Sequence, residues 1–546
     1  MKVMKKYLAL GLSAVMLASV LTGCGNDTKE PENQNPAPAP GTEAQAAPDD
    51  SADTGSGAGE DAAGGEESRT LMIAINADII TTDPQILNSG STTAVLQNVY
   101  SNLVRQDDAG ELENDLAVSY ELLEDNLTWE FKLREDAVFH DGTPVTAADV
   151  EYSINRVIND ETGADYTNFT PLQEAKMIDD YTVQIISKEP YPIMLNLLAK
   201  GGASILPKDY IEEVGLDGFV ANPIGSGPYK LTEYVKDDHV TLVPFDDYYG
   251  EQNPDWDEVI FRVIPESSTR VGELIAGNVD IVNMVIPAEW DRVNNNEGTT
   301  IINGPSTRIY QLALKVDNGP TQDLRVRQAI DYAIDDRAIV DQILKGAGRP
   351  MLTRIPEGIP GCNTDLVDKC NYDPEKAKEL LADAGYPDGF EMEIIAPTGR
   401  YLMDAEICQA ITAMLSQVGI KVDLQLLESS AYSNVFTAHS AEDGFMTCFG
   451  LGFFDASYGM IGYIGRNTEG ESNYANEEYN RMFEEADSNM NLEEREAQFK
   501  ELQQIIADDV PYAIICQIDN SYGVKEGITM VPRLDDVWNL LTIRRA

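Results

Sequence analysis

Three histidines, His140, His239 and His439, are the only imidazoles in 546 residues, so they alone could serve as general bases of the usual kind near neutral pH. None sits in a pattern that suggests such work. There is no GxSxG elbow for a nucleophilic serine, no HExxH zinc pair, no Walker loop and no dinucleotide GxGxxG. His140 precedes Asp141-Gly142, a turn pair, and is expected to pack or hydrogen-bond there rather than hold a metal. The cysteines Cys24, Cys362, Cys370, Cys408, Cys448 and Cys516 include no CxxC and no zinc spacing. Cys362 and Cys370 lie close in a Pro/Gly-rich loop and, in an exported chain, are expected to bridge; Cys408, Cys448 and Cys516 sit in apolar runs and read as small hydrophobes. The 93 acidic residues offer many carboxylate pairs, so a secreted hydrolase remains a minor reading. No catalytic residue, metal or cofactor is assigned.

One cysteine has a different setting. Lys2, Lys5 and Lys6 precede an apolar run from Tyr7 to Val20, which is short for a bilayer span and ends in Leu21-Thr22-Gly23-Cys24. This resembles a bacterial lipobox, with residues 1–23 as a lipoprotein signal peptide and the Cys24 thiol carrying lipid at the outer face of the cytoplasmic membrane. Residues 24–69 are dominated by Ala, Gly, Pro, Asp, Glu and Ser with almost no large apolar side chain, and from Gly25 to Arg69 hold eleven acidic residues against two basic ones. Such a segment cannot offset its ordering entropy and reads as a disordered, self-repelling tether. The whole chain has a net charge of -54, which repels polyphosphate backbones and argues against nucleic acid as a partner.

From residue 70 onward the chain has room for several domain-sized units and alternates strand and helix patterns, so the fold class is α/β. Leu71 to Ile75 suits a buried strand. Leu127, Trp129, Phe131 and Leu133 alternate with polar neighbours, predicting a strand with one wet face. Thr146 with Asp149 predicts a capped helix start, as do Asp373 and Pro374, whose helix should stop at Gly385. Repeats of the solenoid or propeller kind, expected of a structural or adhesive protein, are missing.

The stretch from Phe131 through Phe139-His140-Asp141-Gly142-Thr143-Pro144-Val145-Thr146-Ala147-Ala148-Asp149-Val150 resembles the signature of the peptide/nickel class of bacterial extracellular solute-binding proteins. Gly225 to Tyr229, Asp323 to Ile330 with Ala333-Ile334-Asp335, and Tyr372 to Ala377 with Ala384-Gly385-Tyr386 are similar to the same family in the same order. Arg325 and Arg327, at the helix start of the third motif, are expected to make structural ion pairs. The resemblance implies a two-lobed clamshell of the periplasmic-binding-protein kind, the larger lobe having two subdomains, with two crossing hinge strands. The boundaries expected are 70–316 for lobe one, including 109–199 as a subdomain, 317–511 for lobe two, and 512–546 returning to lobe one. Tyr310 to Val316 and Tyr512 to Ile518 are the expected hinge strands. The implied role is capture of a small ligand in a closing cleft and delivery to ABC importer permease subunits, by a monomer held to the membrane by its lipid.

Site residues are implied by the same resemblance. Gly450 to Ser457 looks like the family loop whose Asp meets a peptide α-ammonium, which nominates Asp455, with Phe453, Phe454 and Tyr458 as apolar walls. Thr398-Gly399-Arg400-Tyr401 resembles the segment whose Arg meets the peptide carboxylate, nominating Arg400 with Tyr401. Val285 and Ile286 match a cleft-lining stretch. A short peptide is the expected ligand; a metal chelate, haem or oligosaccharide is the alternative the family leaves open.

Overall fold

A computed structural model describes residues 69–546 apart from 87, 88, 162, 164 and 165. The leader, Cys24 and nearly all of the expected tether lie outside the described residues. The alternation around Phe131 does make a strand, Thr128–Leu133, with Phe131 and Leu133 buried and Lys132 exposed. It is central in a four-stranded antiparallel sheet ordered Ala117–Leu122, Thr128–Leu133, Thr182–Ser187, Leu172–Asp179. Helix Ala147–Asn159 covers this sheet. It starts as expected: both the backbone N–H and the hydroxyl of Thr146 donate to Asp149 Oδ2 at 2.9 Å. Phe131, Val150, Ile154, Val183 and Leu197 share one core.

The largest sheet, of eleven strands, runs through both lobes. Its first-lobe portion joins Thr70–Ile75 in parallel with Glu258–Val263 and Ile281–Val282, then continues antiparallel through His239–Pro244 and Tyr229–Val235. Its second-lobe portion joins Glu391–Thr398 in parallel with Lys421–Glu428 and Gly444–Gly450. Two long antiparallel strands, Thr299–Leu314 and Tyr512–Lys525, link the portions. Pairing runs from Thr299↔Lys525 to Pro305↔Asp519, breaks, and resumes at Ile309↔Gln517. Three residues of one strand thus face one of the other. Pro305 has no N–H for the ladder, and side chains bridge the gap instead: Ser306 Oγ donates to Ile518 O (2.7 Å) and Gln517 Nε2 to Ser306 O (2.6 Å). The expected hinge segments are therefore only the second-lobe halves of these strands. Asn303-Gly304-Pro305-Ser306 interrupts the apolar pattern and hides the other half.

The recognised motifs are packing devices. His140 N–H donates to Gly225 O (2.8 Å), its Nδ1 accepts from Gly225 N–H (3.2 Å) and its Nε2 lies 3.1 Å from Gly227 O, so the second motif clasps the first. A side chain at Gly227 would put a β-carbon 2.6 Å from the Val99 carbonyl carbon, which is why glycine is needed there. Burial pushes the His140 pKa down to about 4, so the ring is neutral: its Nδ1 accepts and its Nε2–H donates. Asp373 caps helix Pro374–Asp383 by accepting from Lys376 N–H (3.0 Å), and Gly385 follows at φ +95°. Arg325 pairs with Asp323, whereas Arg327 does not make the expected ion pair; it donates to the carbonyls of Asp509, Thr321 and Gln322. Cys362 and Cys370 are free thiols, which corrects the expected bridge. Cys362 packs in the second-lobe core and donates to Ile355 O (3.3 Å), and Cys370 lies against buried Asp336.

Candidate functional site

Strand directions locate the site. The strand Tyr512–Lys525 runs from the second lobe to the first, and Ile281–Val282 pairs antiparallel to it, so the first lobe's three parallel strands point toward the second lobe. Thr299–Leu314 runs the other way, and Gly444–Gly450 pairs antiparallel to it, so the second lobe's three parallel strands point toward the first. Both sets present their carboxyl ends to the break at 305–309. Open α/β sheets bind ligands just beyond such ends, where side chains from several loops converge.

Beyond the second-lobe strands stand most of the residues nominated from sequence, Val285 and Ile286 following a first-lobe strand. Arg400 is exposed; its Nε donates to Tyr401 Oη (3.1 Å) and its Nη1 to the hydroxyls of Ser429 and Ser433 (3.1 Å each). Its guanidinium lies over the rings of Tyr401 and Tyr432, 5.5 and 5.4 Å from their centroids. Asp404 shapes the loop by accepting from the backbone N–H groups of Gly399, Arg400 and Tyr401. The segment after Gly450 reaches across to the first lobe. Phe453 is buried in the cluster that contains Leu103, Val104 and Phe169, and Asn196 Nδ2 donates to Phe454 O (3.0 Å). Gly110 makes room for the Phe454 ring, where a β-carbon would stand 2.5 Å from Cε2. Tyr458 packs edge-on against Phe453 at 4.9 Å.

Asp455 is placed differently from the sequence expectation. The residue is 4% exposed, and its carboxylate takes a bidentate pair from Arg495, Nη1 to Oδ2 at 2.6 Å and Nη2 to Oδ1 at 2.8 Å. Oδ1 also accepts from Ser457 N–H (2.8 Å), capping helix Ala456–Met460. It is a structural ion pair, not an open receptor for an amine. Val285 is also corrected: it lies in the first-lobe core with Ala74, Val271 and Val293, while Ile286 beside it is half-buried. Sequence reasoning missed Arg495. The signal was there, since helix Leu492–Asp509 buries Arg495, Phe499, Leu502 and Ile506 on one stripe, and an arginine in an apolar stripe needs buried acceptors, a carboxylate here and carbonyls at Arg327. A separate cavity of about 570 Å³, lined by Arg105, Asp108, Tyr248, Arg533 and Trp538 among others, lies within the first lobe and its C-terminal return.

Two lobes bridged by paired strands, with converging strand ends between them, define a two-lobed periplasmic-binding-protein fold. A family model of bacterial extracellular solute-binding proteins, family 5 Middle, matches residues 111–468. The chain belongs to that family, whose members are extracellular or periplasmic solute-binding components of ABC importers and not enzymes. The dipeptide-binding protein of Escherichia coli K12 is 30% identical over 393 residues, covering 67% of this chain and 73% of that protein. The glutathione-binding protein of Salmonella typhi is 25% identical over 457 residues, covering 82% of this chain and 88% of its own. The periplasmic binding protein DppA of Helicobacter pylori, solved in complex with the peptide STSA, has the same fold at a TM-score of 0.72 and 24% identity, over 87% of this chain and 98% of that one.

Proposed function

We propose that this protein captures short peptides between its lobes and delivers them to the permease of an ABC importer, from the outer face of the membrane to which a lipid on Cys24 holds it. The observation that carries the reading is the meeting of both sets of strand ends, with Arg400 standing at the second lobe's end. A guanidinium braced through Nε and Nη1 by a tyrosine and two serines is held in place with its Nη2 hydrogens left for a carboxylate, which it meets with charge-assisted hydrogen bonds. Arg400 takes the peptide's α-carboxylate, and Tyr401, Ile286, Phe453, Phe454 and Tyr458 bound the space around it. Relatives named for dipeptide and glutathione binding support the ligand class. Because Arg495 occupies Asp455, the peptide's amine is held by other groups.

Calorimetry with di- and tripeptides tests the reading. Truncating one side of a desolvated charge pair costs about 2–5 kcal/mol, so Arg400→Ala should weaken binding by roughly 30-fold or more, and C-terminally amidated peptides should not feel the mutation. Absence of binding by any short peptide would turn the assignment toward a metal chelate, haem or oligosaccharide. For the anchor, Cys24→Ser should move the protein from the membrane fraction to the medium or periplasm; a variant that stays with the membrane refutes lipidation at that thiol.

A further inference from the structure

We propose that the hinge is a joint of three chain segments rather than two, and that the third, residues 531–539 of the C-terminal return, positions the lobes for capture through Thr307 and Arg308. This goes beyond the peptide assignment and holds whichever small ligand the cleft takes. Where the two long strands lose register, Thr307 has no partner on strand Tyr512–Lys525. Its N–H donates instead to Leu534 O (3.1 Å), and its carbonyl accepts from Leu451 N–H (3.3 Å), just past the end of a second-lobe strand. Arg308, paired across to Gly450, reaches the same segment. Its Nη1 donates to Asn520 Oδ1 (2.9 Å), and its Nη2 makes an ion pair with Asp536 Oδ2 at 3.6 Å. The other long strand reaches it too, with Asn520 Nδ2 donating to Arg533 O (3.4 Å) and the Tyr522 hydroxyl to Asp536 Oδ1. Gly304 lets the segment lie close, since a β-carbon there would stand 2.5 Å from the Pro532 β-carbon.

The far side of the segment is tied to the first lobe. Arg533 Nη1 donates to the carbonyls of Gln106 (3.0 Å) and Asp107 (2.7 Å), Asn539 Nδ2 to Asp108 Oδ1 (2.7 Å), and Trp538 N–H to Ala94 O (3.3 Å). Residues 106–108 lead into the hairpin turn whose Gly110 receives the Phe454 ring, so one segment braces both places where the second lobe leans on the first. An interrupted ladder lets two lobes turn about it. Here, turning the second lobe away would have to draw Thr307 from Leu534 and Arg308 from Asp536. These contacts therefore favour the arrangement in which Phe453 and Phe454 are seated. Asp536 holds φ +64°, a conformation glycine takes more freely, and its carboxylate is engaged by both Tyr522 and Arg308. Leu534 and Asp536 act through the break in the strands, not on the ligand, and are positioning residues.

The test uses the full chain carrying Cys24→Ser, with glutathione and Ala-Ala as probes. Asp536→Asn removes the charge and keeps an acceptor for Tyr522. Without ligand, solution scattering of this variant should show a larger radius of gyration than wild type. Calorimetry should find both probes bound about two- to fivefold more weakly, the effect of a partly exposed ion pair acting on the closed fraction. Arg308→Gln should have the same effect, the double variant should be no worse than either single one, and Arg308→Lys, which keeps the charge, should stay nearer to wild type. Asp536→Gly separates positioning from turn-making, because glycine takes φ +64° freely: it should melt no lower than Asp536→Asn and yet be equally open. Scattering and affinity at wild-type values in both Asp536 variants, or additive losses in the double variant, overturn the three-segment joint and leave the peptide assignment standing. If neither probe binds, the peptide assignment falls, and scattering of the unliganded variants decides the joint.

Discussion

Cutting the Asp455–Arg495 pair at one end should unsettle the second lobe rather than the ligand. Both partners are buried, with 6% and 2% of their side chains exposed, and the contact is a two-bond fork. Asp455→Ala leaves the interior guanidinium without its hydrogen-bonded counter-charge, with only the Asp487 carboxylate nearby, which costs up to about 3–5 kcal/mol. It also removes the acceptor for Ser457 N–H, worth about 1 kcal/mol as a helix cap. A folding unit of about 150–250 residues loses about 2–4 °C of melting temperature per kcal/mol, so the midpoint should fall by about 10–20 °C. Arg495→Met should cost nearly as much, because it buries the carboxylate alone. The double change Asp455→Asn with Arg495→Met removes both charges and should recover to within about 2 kcal/mol of wild type, since a buried pair is weak net stabilisation but its halves are costly apart. Thermal and denaturant unfolding of the four proteins measures the cycle. An Asp455→Ala protein that melts with wild type yet no longer binds peptide would refute this reasoning and restore Asp455 as the amine receptor.

Phe453→Ala should open the cleft: burying Phe453 in the first-lobe cluster favours closure by roughly the 3–5 kcal/mol of a Phe→Ala change, so solution scattering of the variant without ligand should show a larger radius of gyration, and an unchanged curve would refute the bridging role. His140, with its pKa pushed down to about 4 by burial and, less, by Lys230, against the opposing hydrogen bond to the Gly227 carbonyl and the smaller effect of Asp141, confers stability fully present above about pH 6.5. As pH falls from about 6.5 to 4 the unfolded chain takes up the proton first and up to about 3 kcal/mol is lost; denaturation midpoints of wild type and His140→Gln should diverge over that range, and parallel profiles would sink the idea. Alkylation under denaturing conditions without reductant should label Cys362 and Cys370 as free thiols, and a peptide containing both residues joined by a disulfide would contradict the structure.

What the sequence revealed was local. Thr146 with Asp149, Asp373 with Pro374, and the alternation around Phe131 are set by neighbours within a few residues, and the structure realises each of them. Partners far along the chain stayed hidden. Asp455 looked like an available carboxylate because Arg495 is forty residues away on another helix, and only folding brings them to 2.6 Å. Val285 lay in a stretch that resembled a cleft wall, yet the side chain at that position turns into the core while Ile286 remains half-buried, a distinction of side that a one-residue reading does not carry. The long strands were half seen, because strand patterns are recognised by apolar alternation and the crossing is built from Gly304, Pro305 and Ser306, which serve the break in register rather than a core.

The segment from Gly450 to Asp455 ties these features into a way of sensing a ligand. At one end Gly450 is held by strand pairing to Arg308 in the register break, and at the other Asp455 is clamped by Arg495 within the second lobe. Between those fixed points the chain carries Phe453 and Phe454 onto the first lobe. A bistable joint needs rigid bodies, a short stretch where the ladder is interrupted, and a contact made only in one arrangement. The second lobe's buried pair supplies rigidity, residues 306–308 supply the interruption, and the two phenylalanines supply the contact. A ligand lodged beside Gly450 would touch the break and this bridge together, so its binding energy adds to the same contact that closes the lobes, and the closed population rises by its differential affinity for that state.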